Sequence, residues 1–266
     1  MAEVLPVFRR SIYDSWRSLI GWSLGVTAAL LLYLPLFPSI GGNGEMQQII
    51  DSMPQELVKA LGYEQIASGS GYVQSTFYGL LGFLLLVIAA ISWGSAAIAG
   101  AEESGQLELT LVHGVSRTRY AVETALSVLV RLAWLGLLAA VLVLILNEPS
   151  ELAIEARNVL GTSAALVALA FVSGAVALFV GAATGRKIFA IVAGAGVAVL
   201  GYVSNAIANQ MENGEGLRTI SPYSWAYQNQ PLLEGTDWGG LGLLSGTGIV
   251  LTALATFSLR GRDITG

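Results

Sequence analysis

Few side chains in this sequence could carry out chemistry. It contains one histidine, His113, and no cysteine, which excludes metal sites built from several imidazoles or thiolates. The neighbouring carboxylates Glu102 and Glu103 fall on different faces of a helix, which suits contact with a partner better than acid–base catalysis across a substrate. We therefore predict no catalytic residue and no metal site.

Nucleotide-binding motifs are also missing. No GxxxxGK[ST] string occurs, and the nearest sequence, GAATGRK from Gly181, has neither the spacing nor the terminal hydroxyl. Gly194 and Gly196 lie inside an apolar run, so they favour helix packing over cofactor binding. The sequence predicts that this chain binds no cofactor of its own.

Six apolar stretches occupy most of the chain and would have to position any functional residue. Each reaches the roughly 20 residues that a helix needs to cross a bilayer. The composition agrees, because only 12% of the residues are charged and 54% are apolar. We predict an all-α polytopic membrane protein whose spans cover about 19–38, 73–99, 121–146, 159–184, 188–208 and 240–259.

The positions of the cations predict the sidedness of these spans. Nine of the thirteen Lys and Arg residues flank alternate connections, and the other three connections hold eleven acids against Lys59, Arg157 and Arg218. Short connections rich in Lys and Arg stay in the cytoplasm. Both termini are therefore predicted to be cytoplasmic, with external loops at 40–72, 147–158 and 211–238.

Two regions outside the predicted spans have amphipathic patterns. In residues 1–17 the apolar residues repeat at helical spacing and the charged residues fall on the other face, which favours a helix in the inner membrane interface over a solvated tail. The first external loop repeats apolar residues at helical spacing on both sides of Pro54, which predicts two short helices. We expect 18–266 to form one six-span domain, and the first apolar run to be a true span rather than a cleaved signal.

The connection between the second and third spans, residues 101–115, has the strongest local pattern. It combines acids with a row of aliphatic side chains and ends at Gly114 before two arginines. A helix lying flat on lipid is the alternative, but Glu102 and Glu103 would then face anionic headgroups. Docking to another protein is therefore favoured, and we call residues 101–115 the coupling segment.

This segment resembles the EExGxLELLLxxPVSR motif of type 2 ATP-binding-cassette (ABC) exporter permeases. Thr110 stands where that family usually has Leu, and Gly114 stands where it has Pro. The six-span layout, the aromatic residues after Ser221 and the terminal Arg262 and Asp263 are similar too. The first external loop, with Met53–Pro54 and Gly71–Tyr72, resembles the antibiotic and polyketide efflux branch. The residues that match the coupling motif are Glu102, Glu103, Gly105, Leu107, Glu108, Leu109, Leu111, Val115 and Arg117.

The resemblance implies a transport subunit that is not itself an enzyme. It would pair with ABC ATPase subunits, which bind ATP and Mg²⁺, and with a second permease copy in the cytoplasmic membrane of a prokaryote. The expected cargo is a hydrophobic, drug-like molecule; no nucleic-acid partner is expected. Export of a lipid or an ion, or a stand-alone transporter or channel, remain the alternatives.

Three polar residues are candidates for the translocation path. Arg131 falls in the third span, where a charged side chain costs about 2.5 to 3.5 kcal/mol on insertion scales. It is interpreted either as a contact inside the bundle or as a structural arginine that snorkels or pairs with Glu123. Asn205 and Asn209 end the fifth span, where they line an exit path or cap the helix.

Overall fold

The computed structural model describes residues 5–40, 48, 51–61, 63, 65–211 and 213–262. Within these residues the chain forms helices and no strand, which confirms the all-α prediction. Met46, Ile49, Ile50 and Asp263, which the sequence patterns had included, lie outside the described residues. The helices are α1 (Pro6–Asp14), α2 (Trp16–Ser39), α3 (Gln55–Leu61), α4 (Gly69–Glu103), α5 (Gln106–Val112), α6 (Arg117–Asn147), α7 (Ala156–Thr184), α8 (Lys187–Ala208), α9 (Glu215–Ile220), α10 (Pro222–Tyr227) and α11 (Trp238–Gly261).

Six of these helices, α2, α4, α6, α7, α8 and α11, are long and apolar enough to cross a membrane. Helix α7 lies at the centre and packs against α4, α6, α8 and α11. In its most apolar stretch 72% of the residues are buried, against 17 to 22% in α2, α8 and α11. The outer helices therefore expose apolar faces to their surroundings, as expected for a membrane bundle.

The close contact of α4 with α7 depends on two glycines. A Cβ atom added at Gly94 would overlap the carbonyl oxygen of Gly174, and one added at Gly174 would press on Ala90. In a lipid bilayer no hydrophobic driving force brings helices together, so close packing contributes much of their association. Small residues allow such packing because they let helix backbones touch. By contrast, Gly242 and Gly246, which share one face of α11, have open space around them.

Helix α4 contains a π-helical segment near each of its ends, at Gln74–Leu81 and Ala96–Gly100. A carbonyl in each segment accepts a hydrogen bond from a tyrosine elsewhere in the chain. Tyr223 donates to Gly79 at 2.8 Å, and Tyr120 donates to Ala97 at 2.9 Å. Such π segments frequently occur at functional sites, so both ends of α4 require a closer description.

The spans alternate in direction, so their connections gather at two ends of the bundle. The end that we call the α5 end contains α1, α5, the α7–α8 turn and the end of α11. The opposite α10 end contains α3, α9, α10 and the α6–α7 connection. A separate apolar cluster closes the α5 end, and it includes Val7 of α1, Leu107 of α5 and Leu259 of α11.

Candidate functional site

The coupling segment folds as a short helix between two glycine turns. Gly105, before α5, and Gly114, after it, have φ of +71° and +87°, in the left-handed region that favours glycine. Proline fixes φ near −65°, so it could not replace Gly114 in this conformation. The departure from the family motif at Gly114 therefore has a structural reason.

The apolar side chains of the coupling segment divide between the core and the surface. Leu107 is fully buried in the apolar cluster of the α5 end, and Leu111 and Val115 pack against that cluster. Leu109 and Val112 instead expose 64% and 84% of their surface. One face of α5 thus anchors the segment to its own chain, while the other presents two aliphatic side chains outward.

The two adjacent acids of the coupling segment bind groups of their own chain. Glu102 forms an ion pair with Arg262, just beyond α11, and both side chains are largely buried. Glu103 accepts a hydrogen bond from the backbone N–H of Lys187 at 2.8 Å, at the first turn of α8. A carboxylate at a helix N-terminus satisfies an N–H that has no partner within the helix. Glu108 is half-buried.

Arg117, the last residue of the family motif, also holds the end of α11. Its Nη1 donates to the carbonyl oxygens of Leu259, Arg260 and Arg262 at 3.3, 3.2 and 2.7 Å. A cation at a helix C-terminus binds carbonyls that have no partner within the helix. Together with the Glu102–Arg262 pair, this contact fixes the coupling segment and α6 to the end of the last span.

A cavity of about 370 Å³ opens at the α5 end between α1, α4, α5 and α6. We call it the α5 cavity. Arg131 of α6 reaches it from within the bundle, and only 5% of its surface is exposed. Gln106 and Thr110 of the coupling segment form part of its wall. The cavity therefore brings a buried cation and the coupling segment to the same space.

Arg131 is held by serines and an aromatic ring. Its Nε donates to the Ser127 carbonyl at 2.9 Å, its Nη2 donates to the Ser127 hydroxyl at 3.0 Å, and its guanidinium lies 4.7 Å from the ring centre of Trp93. The interpretation that Arg131 pairs with Glu123 is wrong. Glu123 instead binds Arg119 at 2.6 Å, because Arg119 is one helical turn away and Arg131 is two. Within the described residues Arg131 has no carboxylate partner.

Asn205 and Asn209 line a second cavity of about 320 Å³ at the α10 end, which we call the α10 cavity. Asn205 accepts from the Ser224 hydroxyl at 2.9 Å, and Asn209 accepts from Arg218 at 3.3 Å. The structure thus brings the two asparagines together at one cavity, far from Arg131. The wall is completed by residues of α3, α4, α8, α9 and α10 and their connections: Lys59, Tyr63, Gln65, Gly71, Gln74, Ser75, Gly79, Leu80, Tyr202, Arg218, Tyr223, Tyr227, Gln228, Asn229 and Gln230.

Aromatic residues of α10 form the floor of this cavity. The Tyr223 ring meets those of Tyr202 and Tyr227 edge to face, with centroids 5.1 Å apart in both pairs. Burial raises the pKa of Tyr223 and of Tyr227 well above the ordinary value of a tyrosine. Both hydroxyls therefore stay protonated and can donate hydrogen bonds at neutral pH.

Sequence reasoning missed several residues that contact the candidate residues at the two ends of the bundle. Arg262 was used as a cytoplasmic cation and for its family resemblance but not as a partner of Glu102, and Lys187 and Trp93 were not expected to contact the candidate residues. The aromatic residues after Ser221 were noted for their family resemblance, and the presence of Tyr227 and Arg218 in the wall of one cavity was not predicted. Within the described residues no group of three or more potential metal ligands occurs.

Residues 15–260 of the chain match the model of a known protein family. The matching family is described as the multidrug efflux system permease Rv1217c, C-terminal domain. The chain belongs to this family. It is a multi-pass membrane permease of the multidrug efflux type, which confirms the predicted efflux-permease resemblance. No curated protein matches the chain.

Proposed function

We propose that this efflux permease is the membrane subunit of an ATP-driven ABC exporter in a prokaryotic cell membrane. Two copies would pair with two ATPase subunits, which bind ATP and Mg²⁺, and both termini would be cytoplasmic. ATP-driven closure of the ATPases would move the coupling segment and switch the permease between inward and outward access. The cargo would be a hydrophobic, drug-like molecule.

This proposal depends on one observation. Leu109 and Val112 of the coupling segment point outward, whereas other residues of the segment contact their own chain. Exposed aliphatic side chains at a polar end of a membrane protein are typical of a protein interface. Leu107, Glu102 and Arg117 fix the segment to the apolar cluster and to α11. A force applied at Leu109 and Val112 would therefore reach the spans directly.

The α5 and α10 cavities support a translocation path between the two ends of the bundle. Arg131 would contact cargo from the inner side, and Asn205 and Asn209 would line the outer exit. Small-molecule sites usually combine apolar surface with a few oriented polar groups, and the α5 cavity has this character, whereas the α10 cavity is lined mainly by polar side chains. This arrangement suits a permease better than a membrane-embedded enzyme.

The test is co-purification of an ATPase with the affinity-tagged full chain, together with ATP-dependent drug efflux from inside-out vesicles. The double substitution Leu109→Ala with Val112→Ala should lower ATPase recovery and efflux about tenfold, because it removes several methyl and methylene groups that would each contribute about 0.8 kcal/mol when buried against a partner. Ile145→Ala is the matched control, since Ile145 is 61% exposed at the other end of α6. Unchanged ATPase recovery and efflux in the double variant would contradict the proposal.

A further inference from the structure

The α10 cavity is lined by two cations, although the predicted external loops contain many more acids than cations. Two of the three cations in the predicted external loops, Lys59 and Arg218, line it. None of the described residues in its wall is a carboxylate, while Glu234 and Asp237 line a neighbouring depression. The third external cation, Arg157, lies elsewhere and binds Glu155 at 2.6 Å.

Two buried polar atoms at this cavity have no hydrogen-bond partner among the residues that the structure describes. They are Nε of Arg218 and the hydroxyl oxygen of Tyr227. Tyr227 exposes only 7% of its surface, so its hydroxyl is a buried donor. Buried polar side-chain atoms in folded proteins are nearly always partnered. Two exceptions in the wall of one cavity indicate that a ligand supplies the missing acceptors.

The surrounding contacts hold these donors in place before any ligand binds. Arg218 is fixed through its Nη2 to Asn209, and Asn209 in turn donates to the backbone carbonyl of Lys59 at 3.4 Å. Tyr227 is fixed by its edge-to-face contact with Tyr223. A guanidinium with an unpartnered N–H and a tyrosine hydroxyl in the wall of the same cavity match a carboxylate, sulfonate or phosphate group, while the tyrosine rings match an aromatic or apolar body.

We propose that the α10 cavity binds an organic anion through Arg218 and Tyr227, so that the exported compounds include acids with an aromatic or apolar body. This inference rests on the proposed export function. A cationic drug would meet repulsion from Arg218 and Lys59. The same acidic chemistry is also present in the headgroup of an anionic lipid, and the test separates these two sources.

The experiment measures binding of dansylglycine and of its uncharged analogue, dansylglycinamide, to the full chain in phosphatidylcholine nanodiscs. Energy transfer from tryptophan to the dansyl group reports binding, and no ATPase is required. Dansylglycine should bind more tightly than the amide. Arg218→Gln should weaken dansylglycine binding about tenfold or more, because hydrogen bonds between charged groups are stronger than those between neutral groups. Tyr227→Phe should weaken it less.

Arg157→Gln is the matched control, since Arg157 is an exposed external cation away from the cavity, and it should leave binding unchanged. Equal affinity for both probes, or unchanged dansylglycine binding in Arg218→Gln, overturns the proposal. Adding phosphatidylglycerol to the nanodiscs separates the sources: strong competition that depends on Arg218 identifies a lipid headgroup and overturns the assignment to cargo. Because this assay needs no ATPase, its result is independent of whether an ATPase co-purifies.

Discussion

The polar residues at the two ends of the bundle differ in their partners. At the α5 end, Glu102, Glu103 and Arg117 each bind a group elsewhere in the same chain, while Nε of Arg262 has no hydrogen-bond partner in the described part of the chain and lines neither cavity. At the α10 end, Arg218 and Tyr227 keep polar atoms beside a cavity without a partner in the described part of the chain. The first arrangement ties the coupling segment and α6 to α8 and α11, whereas the second leaves donors available to a ligand. This is the difference expected if, as we propose, an ATPase docks at the α5 end and cargo leaves at the α10 end.

Helix α4 connects these two ends. Its π segment at Gln74–Leu81 contributes to the α10 cavity, and its π segment at Ala96–Gly100 contributes to the α5 cavity. In each segment a tyrosine from another element binds a main-chain carbonyl. Helix α4 therefore contributes to both cavities, and at each cavity it does so through a π segment, a feature that is frequent at functional sites.

The largest effect is expected from reversing the Glu102–Arg262 pair. Glu102→Arg places two cations together where the side chains are only 15% and 22% exposed, so efflux should fall about tenfold. Arg262→Glu should act similarly, and combining both substitutions should restore most of the efflux measured in vesicles.

The matched control for this reversal is the same charge swap at Arg157 and Glu155, whose side chains are 81% and 62% exposed and which line neither cavity. An exposed pair of this kind is worth about 1 kcal/mol or less, so efflux should change little. If the Glu102–Arg262 double variant exports no better than the single variants, the internal role of Glu102 is contradicted.

A smaller effect is expected at Arg131, and it separates function from stability. Arg131→Gln removes a buried cation that has no carboxylate partner in the described residues. The melting temperature of the variant protein should therefore equal or exceed that of the unsubstituted protein. If Arg131 contacts cargo, efflux should still fall about fivefold. A purely structural arginine would instead lower the melting temperature and the efflux together, and Arg131→Lys should recover part of the efflux.

The sequence was sufficient to predict the six apolar spans, because the thickness and the apolar interior of a bilayer determine the length and hydropathy that each span needs. The coupling segment was selected because its acids and aliphatic residues are adjacent in the chain, and its docking role stays a prediction. The sequence could not predict the Glu102–Arg262 pair, because those residues are separated by 160 positions and meet only when α4 and α11 pack around α7.

Local spacing was misleading where a nearer partner existed. Glu123 lies on nearly the same face of α6 as Arg131, yet it binds Arg119 and the backbone N–H of Phe8. The α10 cavity shows a second limit. Asn205 and Asn209 were candidates from their position, but Arg218 and Tyr227 reach the same cavity from two other helices. Only the folded chain reveals which polar atoms lack a partner.

The most direct test of the account is thiol labelling of the coupling segment. The chain contains no cysteine, so Val112→Cys introduces a single thiol at the exposed tip of α5. An impermeant maleimide should label this thiol in inside-out vesicles but not in intact cells, and bound ATPase should protect it. Ser52→Cys in the first external loop should give the opposite sidedness. Labelling of the Val112→Cys variant in intact cells, or equal labelling with and without ATPase, would contradict the account.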